Sequence, residues 1–219
     1  MVGICFFAPF DYTDTSLDEL ALSEGVFERF GADESDRINK ISNPTGRALS
    51  LGGLIALGRA VSKFEPTEQK LYIQRDRFGK PSFSCGGVQF SISHACGLSV
   101  AAVSQGDVGV DIECIDPGRE MERIAKRFFS EREQNQLSAA NDRVREFYRI
   151  WTAKEAMMKL GGEGMISIMT SDSVRAEDDA DRVFARYALS FEGEDYILTV
   201  CTREREKIDL SVCDGVSVL

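Results

Sequence analysis

The chain has 219 residues, 43% of them hydrophobic, which is enough for a substantial core in one large domain or two small packed ones. Its formal net charge of −10 excludes a broad nucleic-acid-binding face, which needs a basic stripe, so a phosphate-rich ligand has to be met by locally clustered Lys and Arg. Six cysteines lie scattered without a CxxC pair or zinc-like spacing and are expected as small buried hydrophobes in a reducing cytoplasm. A single histidine, His94, rules out poly-His metal sites and forces any His-dependent triad through one residue.

In chain order, Val2 to Ala8 is expected as a strand rather than a signal peptide, because it is short and lacks a basic leader. No run is long and apolar enough to span a membrane. Leu17 to Phe30 has the spacing of an amphipathic helix. Asn43-Pro44 starts another, with Asn as the cap and Pro at the first helical position, and apolar residues follow from Leu51 to Phe64. Leu71 to Ile73 is expected as a strand, followed by a turn at Phe78-Gly79-Lys80-Pro81. Strands are expected at Val88 to Ser93, Leu98 to Val103 and Val108 to Glu113. Helices are expected at Met121 to Phe129, after the capping box Ser130-x-x-Glu133, and from Asp142 to Leu160. Four strands complete the chain, at Met165 to Met169, Val183 to Phe191, Tyr196 to Cys201 and Ile208 to Val212. A hairpin turn is read at Glu192 to Asp195 and a solvated acidic loop at Glu177 to Asp181. This order is α+β, with a division near Gln105: residues 1–105 form one half and 106–219 the other.

Two places break the patterning. In Gly109-Val110-Asp111-Ile112-Glu113, strand alternation puts Asp111 and Glu113 on one face, about 7 Å apart, where like charges repel unless a cation lies between them. The plain alternative is a solvated strand end. In the long helix an apolar stripe runs Val144, Tyr148, Trp151, Met158, and Glu155 stands where its missing member belongs. The plain alternative there is an intrahelical Glu155–Lys159 pair. Taken together, Asp111, Glu113 and Glu155 are hard oxygen donors of the kind magnesium takes, and Lys154 and Lys159 beside them point to phosphate.

Gly109 to Glu113, followed about forty residues later by Trp151-x-x-Lys154-Glu155-Ala156-x-x-Lys159, resembles the paired signature of 4'-phosphopantetheinyl transferases of the monomeric, surfactin-synthetase-activating type. Phe78 to Pro81, Ser91-Ile92-Ser93-His94 and Arg127-Phe128-Phe129-Ser130-x-x-Glu133 extend the resemblance, which is good over roughly residues 78 to 165. It implies two similar packed α+β halves with a ligand cleft between them, the pseudo-dimeric fold of that family. The implied reaction moves the phosphopantetheine arm of coenzyme A to a serine of an apo acyl or peptidyl carrier protein and releases adenosine 3',5'-bisphosphate.

By position, the resemblance makes Asp111, Glu113 and Glu155 the Mg2+ ligands, Glu155 the base and Lys159 the group that neutralises or protonates the departing phosphate. Lys154 would touch the phosphates. Ser93, His94, Lys80 and Arg47 would hold the 3'-phosphate of coenzyme A, with Lys40 and Arg37 as unranked alternatives to Arg47. Ala95 and Cys96 follow the histidine where the family often has a hydroxyl residue. Glu133 is open between a functional role and a helix cap. Arg123, Lys126 and Arg127, just before Phe128 and Phe129, are a candidate carrier-docking patch or simply a solvated basic face. Competing assignments for the acidic trio are another magnesium-dependent phosphotransferase or pyrophosphate hydrolase, and a non-catalytic carrier-binding relative.

Overall fold

The computed structural model describes residues 1–9, 13–65, 70–77, 79–161, 183–211 and 216–219, apart from the side chains of Asp14 and Ser211. The expected strand at Met165 to Met169, the acidic loop, Phe78 and the end of the last expected strand at Val212 lie outside these residues. The fold is mixed α+β. It divides into two compact units, one of Met1–Val108 with a returning C-terminal segment, the other built mainly from Gly109–Arg205.

In the first unit, β1 (Val2–Phe7), β4 (Gln89–Ala95), β5 (Leu98–Ser104) and β9 (Ile208–Ser211) form a sheet in the order β4-β5-β1-β9. β5 runs antiparallel to β1 and β4, whereas β9 lies parallel to β1 with Val2 opposite Ile208. The chain therefore does not divide at one point: β9 returns to the first unit and covers the outer edge of β1, while the last residues, Gly215–Leu219, belong to the second unit. α4 (Pro44–Phe64) lies on this sheet, and Leu51, Ile55, Leu57 and Val61 on it are fully buried. Asn43 caps it by accepting from the Gly46 amide at 3.2 Å. A Cβ on Gly53 would come within 2.7 Å of the Ile92 side chain, so a larger residue there would push the helix off the sheet.

Leu17 to Phe30 forms two helices rather than one, α1 (Asp14–Ser23) and α2 (Val26–Phe30). Gly25 stands between them at φ +64°, a left-handed conformation that breaks the helical path. α3 (Ala32–Asn39) was not expected from the apolar pattern, because its buried face includes a carboxylate. Glu34 is 1% exposed and accepts from Arg37 at 2.8 Å and from Arg75. Burial pushes its pKa up, and the two guanidiniums outweigh burial and hold it below the usual range. The short hairpin of β2 (Ile73–Arg75) and β3 (Pro81–Phe83) completes the unit.

In the second unit the sheet order is β10-β7-β8-β6, from β10 (Ser217–Val218), β7 (Val183–Phe191), β8 (Glu194–Thr202) and β6 (Val108–Cys114). Glu192 and Gly193 both take positive φ, the backbone of a tight hairpin between β7 and β8. Three helices follow β6 in the chain: α5 (Met121–Phe128), α6 (Glu131–Ala139) and α7 (Arg143–Gly161). The capping box at α6 is formed as expected, with Ser130 Oγ accepting from the Glu133 amide and Glu133 accepting from the Ser130 amide. The expected stripe on α7 is replaced by burial nearly all round, from Phe147 to Met157, with Glu155 only half-buried among these residues. No helix among the described residues is long and apolar enough to cross a membrane.

Candidate active site

Gly109 sets the distance between β6 and α7. A Cβ there would lie 2.0 Å from the Ala156 carbonyl oxygen and 2.7 Å from the Leu160 nitrogen. Only glycine lets the helix backbone come down onto the strand at this point. Asp111 and Glu113, two and four residues further along β6, are thereby brought against the helical turn that carries Glu155 and Lys159.

The contacts differ from the intrahelical alternative. Lys159 Nζ donates to Asp111 Oδ1 at 2.8 Å, joining helix to strand, and Asp111 is 5% exposed. Glu113 accepts from Trp151 Nε1 at 2.9 Å and from Arg119 Nη1 at 3.0 Å. Burial raises its pKa first and the Asp111 charge adds to this, while Arg119 acts in the opposite direction. Glu155 is pushed up to about 7, chiefly by burial and then by Asp111, with Glu113 adding and Lys159 and Arg119 opposing. A carboxyl poised near neutrality beside an ammonium group suits proton transfer at physiological pH. Neither Arg119 nor the Trp151 bond to Glu113 was anticipated. The only signal was the Asp116-Pro117-Gly118 turn, which lets the chain double back after the strand.

As a magnesium site the donor chemistry fits: hard carboxylate oxygens, close enough for Asp111 and Glu113 to raise Glu155 by their charge. In the geometry found, however, no three acidic, His or Cys groups among the described residues stand together as a ready cage. Lys159 and Arg119 supply the positive charge that two of the carboxylates need. Magnesium usually takes one or two protein carboxylates and fills its shell with waters and phosphate oxygens, so a complete protein cage is not required for it.

The placing of Lys154 is corrected. Its ammonium group is fully buried and lies 2.8 Å from Glu133, also fully buried, and 6.0 Å from the Phe129 ring. It cannot meet a phosphate in solvent from there. Glu133 is the α6 cap and the counter-ion of Lys154 together. Breaking such a pair leaves an uncompensated charge in the core.

The residues expected at the 3'-phosphate lie in the first unit. Ser93 is buried and His94 exposed on β4, with His94 opposite Ser99 on β5, just before the turn at Cys96 and Gly97, both at positive φ. Lys80 is half-exposed in the β2–β3 turn, where its amide donates to Asp76 Oδ1 at 2.9 Å. Arg47 is held by Asp18 at 2.7 and 3.0 Å and reaches Asn39 at 3.4 Å, so it ties α4 to α1 and α3 rather than standing solvated. Arg37 is bound to Glu34, while Lys40 is exposed at the end of α3. In the proposed docking patch, Arg123 pairs with Glu120 at 2.6 Å and Lys126 is exposed. Phe129 is buried against Phe147, and Phe128 beside it is half-buried.

The profile of the 4'-phosphopantetheinyl transferase superfamily matches residues 107–210, the stretch that carries β6, α7 and all three carboxylates. The chain is 30% identical over 173 residues to the 4'-phosphopantetheinyl transferase HetI of Nostoc sp., an alignment covering 73% of this chain and 68% of HetI. It is 32% identical over 152 residues to a 4'-phosphopantetheinyl transferase of Bacillus subtilis (64% of this chain and 65% of that protein). It is also 36% identical over 132 residues to the 4'-phosphopantetheinyl transferase AcpT of Salmonella typhimurium (58% and 65%). The chain thus spans about two thirds of the length of these relatives. It belongs to the 4'-phosphopantetheinyl transferase superfamily.

Proposed function

We propose that this chain transfers the 4'-phosphopantetheine group of coenzyme A to a serine hydroxyl of an apo acyl or peptidyl carrier protein, acting as a cytoplasmic monomer. The observation that carries the assignment is Glu155, poised near neutral pH beside Asp111, Glu113 and Lys159 on the segment that the family profile matches. Glu155 takes the serine proton, directly or through a water, as the serine oxygen forms its bond to the β-phosphorus of coenzyme A. The bond from that phosphorus to the bridging oxygen breaks, and adenosine 3',5'-bisphosphate leaves with its new charge met by Lys159. Asp111, Glu113 and Glu155 would hold Mg2+, which when bound supplies positive charge to the diphosphate oxygens. Ser93, His94, Lys80 and Arg47 are assigned to the 3'-phosphate, with the Arg47 guanidinium divided between that phosphate and Asp18.

The test is to incubate the protein with coenzyme A, magnesium chloride and an apo carrier and to weigh the carrier. A gain of one phosphopantetheine arm, lost with a chelator and with Glu155→Gln, is expected. Cleavage of coenzyme A without a carrier would identify a hydrolase instead, and carrier binding without turnover a non-catalytic relative. Reversing Arg123, Lys126 and Arg127 together should raise KM for the carrier and leave the affinity for coenzyme A unchanged. An equal fall in both would place those residues at the wrong ligand.

A further inference from the structure

Glu113 is gripped from two sides. Trp151 on α7 donates to its Oε1, and Arg119 in the loop after β6 donates to its Oε2. An ionised carboxylate has roughly four lone-pair sites, so both oxygens keep capacity for another ligand while these bonds persist.

Arg119 is itself held in place. Its guanidinium carbon lies 5.5 Å from the Trp151 ring, 5.7 Å from Tyr148 and 6.0 Å from Phe147, within cation–π range of all three. Its loop is pinned to α7, with the Asp116 amide donating to the Tyr148 hydroxyl oxygen at 3.0 Å and that hydroxyl standing 3.2 Å from the Asp116 carbonyl. The Gly118 amide then donates to Asp116 Oδ1 at 2.8 Å, which fixes the turn just before Arg119. A mobile surface ion pair would contribute little. This one is constrained at both the backbone and the guanidinium.

We propose that Arg119 is a positioning residue of the transfer reaction: with Trp151 it fixes the Glu113 carboxylate in the orientation that receives the divalent cation, without itself touching coenzyme A or the carrier. The inference rests on the transferase assignment. Partners one step removed from a metal ligand commonly change metal affinity by about 10- to 100-fold when removed. Lysine keeps the charge but loses the planar fork and the stacking on the rings, so it should restore only part of the effect.

Trp151 is the sole tryptophan and touches Glu113 directly, so its fluorescence reports on the carboxylate. Magnesium chloride is titrated into the full chain with coenzyme A present, for the wild type, Arg119→Ala and Arg119→Lys, reading Trp151 emission and the magnesium dependence of transfer to an apo carrier. The expected result is a midpoint raised about 10- to 100-fold in Arg119→Ala and by less in Arg119→Lys. Saturating magnesium should restore kcat, and KM for coenzyme A should move by less than about twofold. An Arg119→Ala midpoint within about twofold of wild type overturns the inference and leaves the transferase assignment standing. A wild type with neither a magnesium response nor transfer overturns both. Should Arg119→Ala fail to fold by circular dichroism, Arg119→Lys decides: a raised midpoint supports the role, and an unchanged one overturns it.

Discussion

Glu155 and Lys154 are neighbours in sequence with opposite fates, and the difference is solvent. Glu155 keeps partial access to water, with its pKa pushed from 4.5 to about 7 by burial and then by Asp111. Between those two values the folded protein holds a proton that the unfolded chain has released, so this group favours the folded state at the acid end and stops doing so as pH rises through 7. Metal-free protein should therefore lose melting temperature over that window relative to Glu155→Gln, and magnesium chloride, which favours the carboxylate, should reduce the loss. Parallel pH profiles of Tm for the two proteins would count against it. Lys154 has no access to water, and its charge is met in the core by Glu133. Lys154→Met should cost about 3–5 kcal/mol in urea unfolding, and adding Glu133→Leu should recover part of that despite the lost cap.

At the scale of elements, the contact of α7 with β6 decides whether the acidic residues meet. Gly109→Ala would force the helix away from the Ala156 and Leu160 backbone, a small-to-large change of the kind that costs about 1–3 kcal/mol or more. Transfer should fall further than stability does, because Lys159 would be drawn off Asp111. Activity that tracks the folded fraction alone would refute this coupling. The same scale shows where sequence patterns were informative. The Asn43 cap, the Ser130 box and the strands expected at Val2, Leu98 and Val108 rest on local rules and appear in place, whereas the strand expected at Leu71 to Ile73 is found at Ile73–Arg75. Gly25 gives no such signal, because one glycine inside an apolar period does not announce a left-handed turn. α3 gives none either, because its inward Glu34 is stable only with Arg37 and Arg75 around it, and Arg75 is distant in sequence.

At the scale of the whole molecule, β9, far along the chain, completes the sheet that β1 begins. β9 lies parallel to β1, and the Val2 amide donates to the Lys207 carbonyl at 2.8 Å. A parallel partner so distant in sequence leaves no local signature. Ending the chain at Arg205 should expose the β1 edge and speed amide exchange across Val2–Phe7, with increased aggregation. Protection of those amides equal to that of the full chain would contradict the role given to β9. The sequence by itself determined the α+β class, the family, and the residue types that carry charge and protons, because these follow from local periodicity, capping and motif spacing. Only the tertiary structure decided that Lys154 belongs to the core, that Lys159 reaches across to Asp111, and that Arg119 and Trp151 share Glu113. Partner choice among charged side chains depends on burial and on close backbone approach, and neither is written in any one segment of the chain.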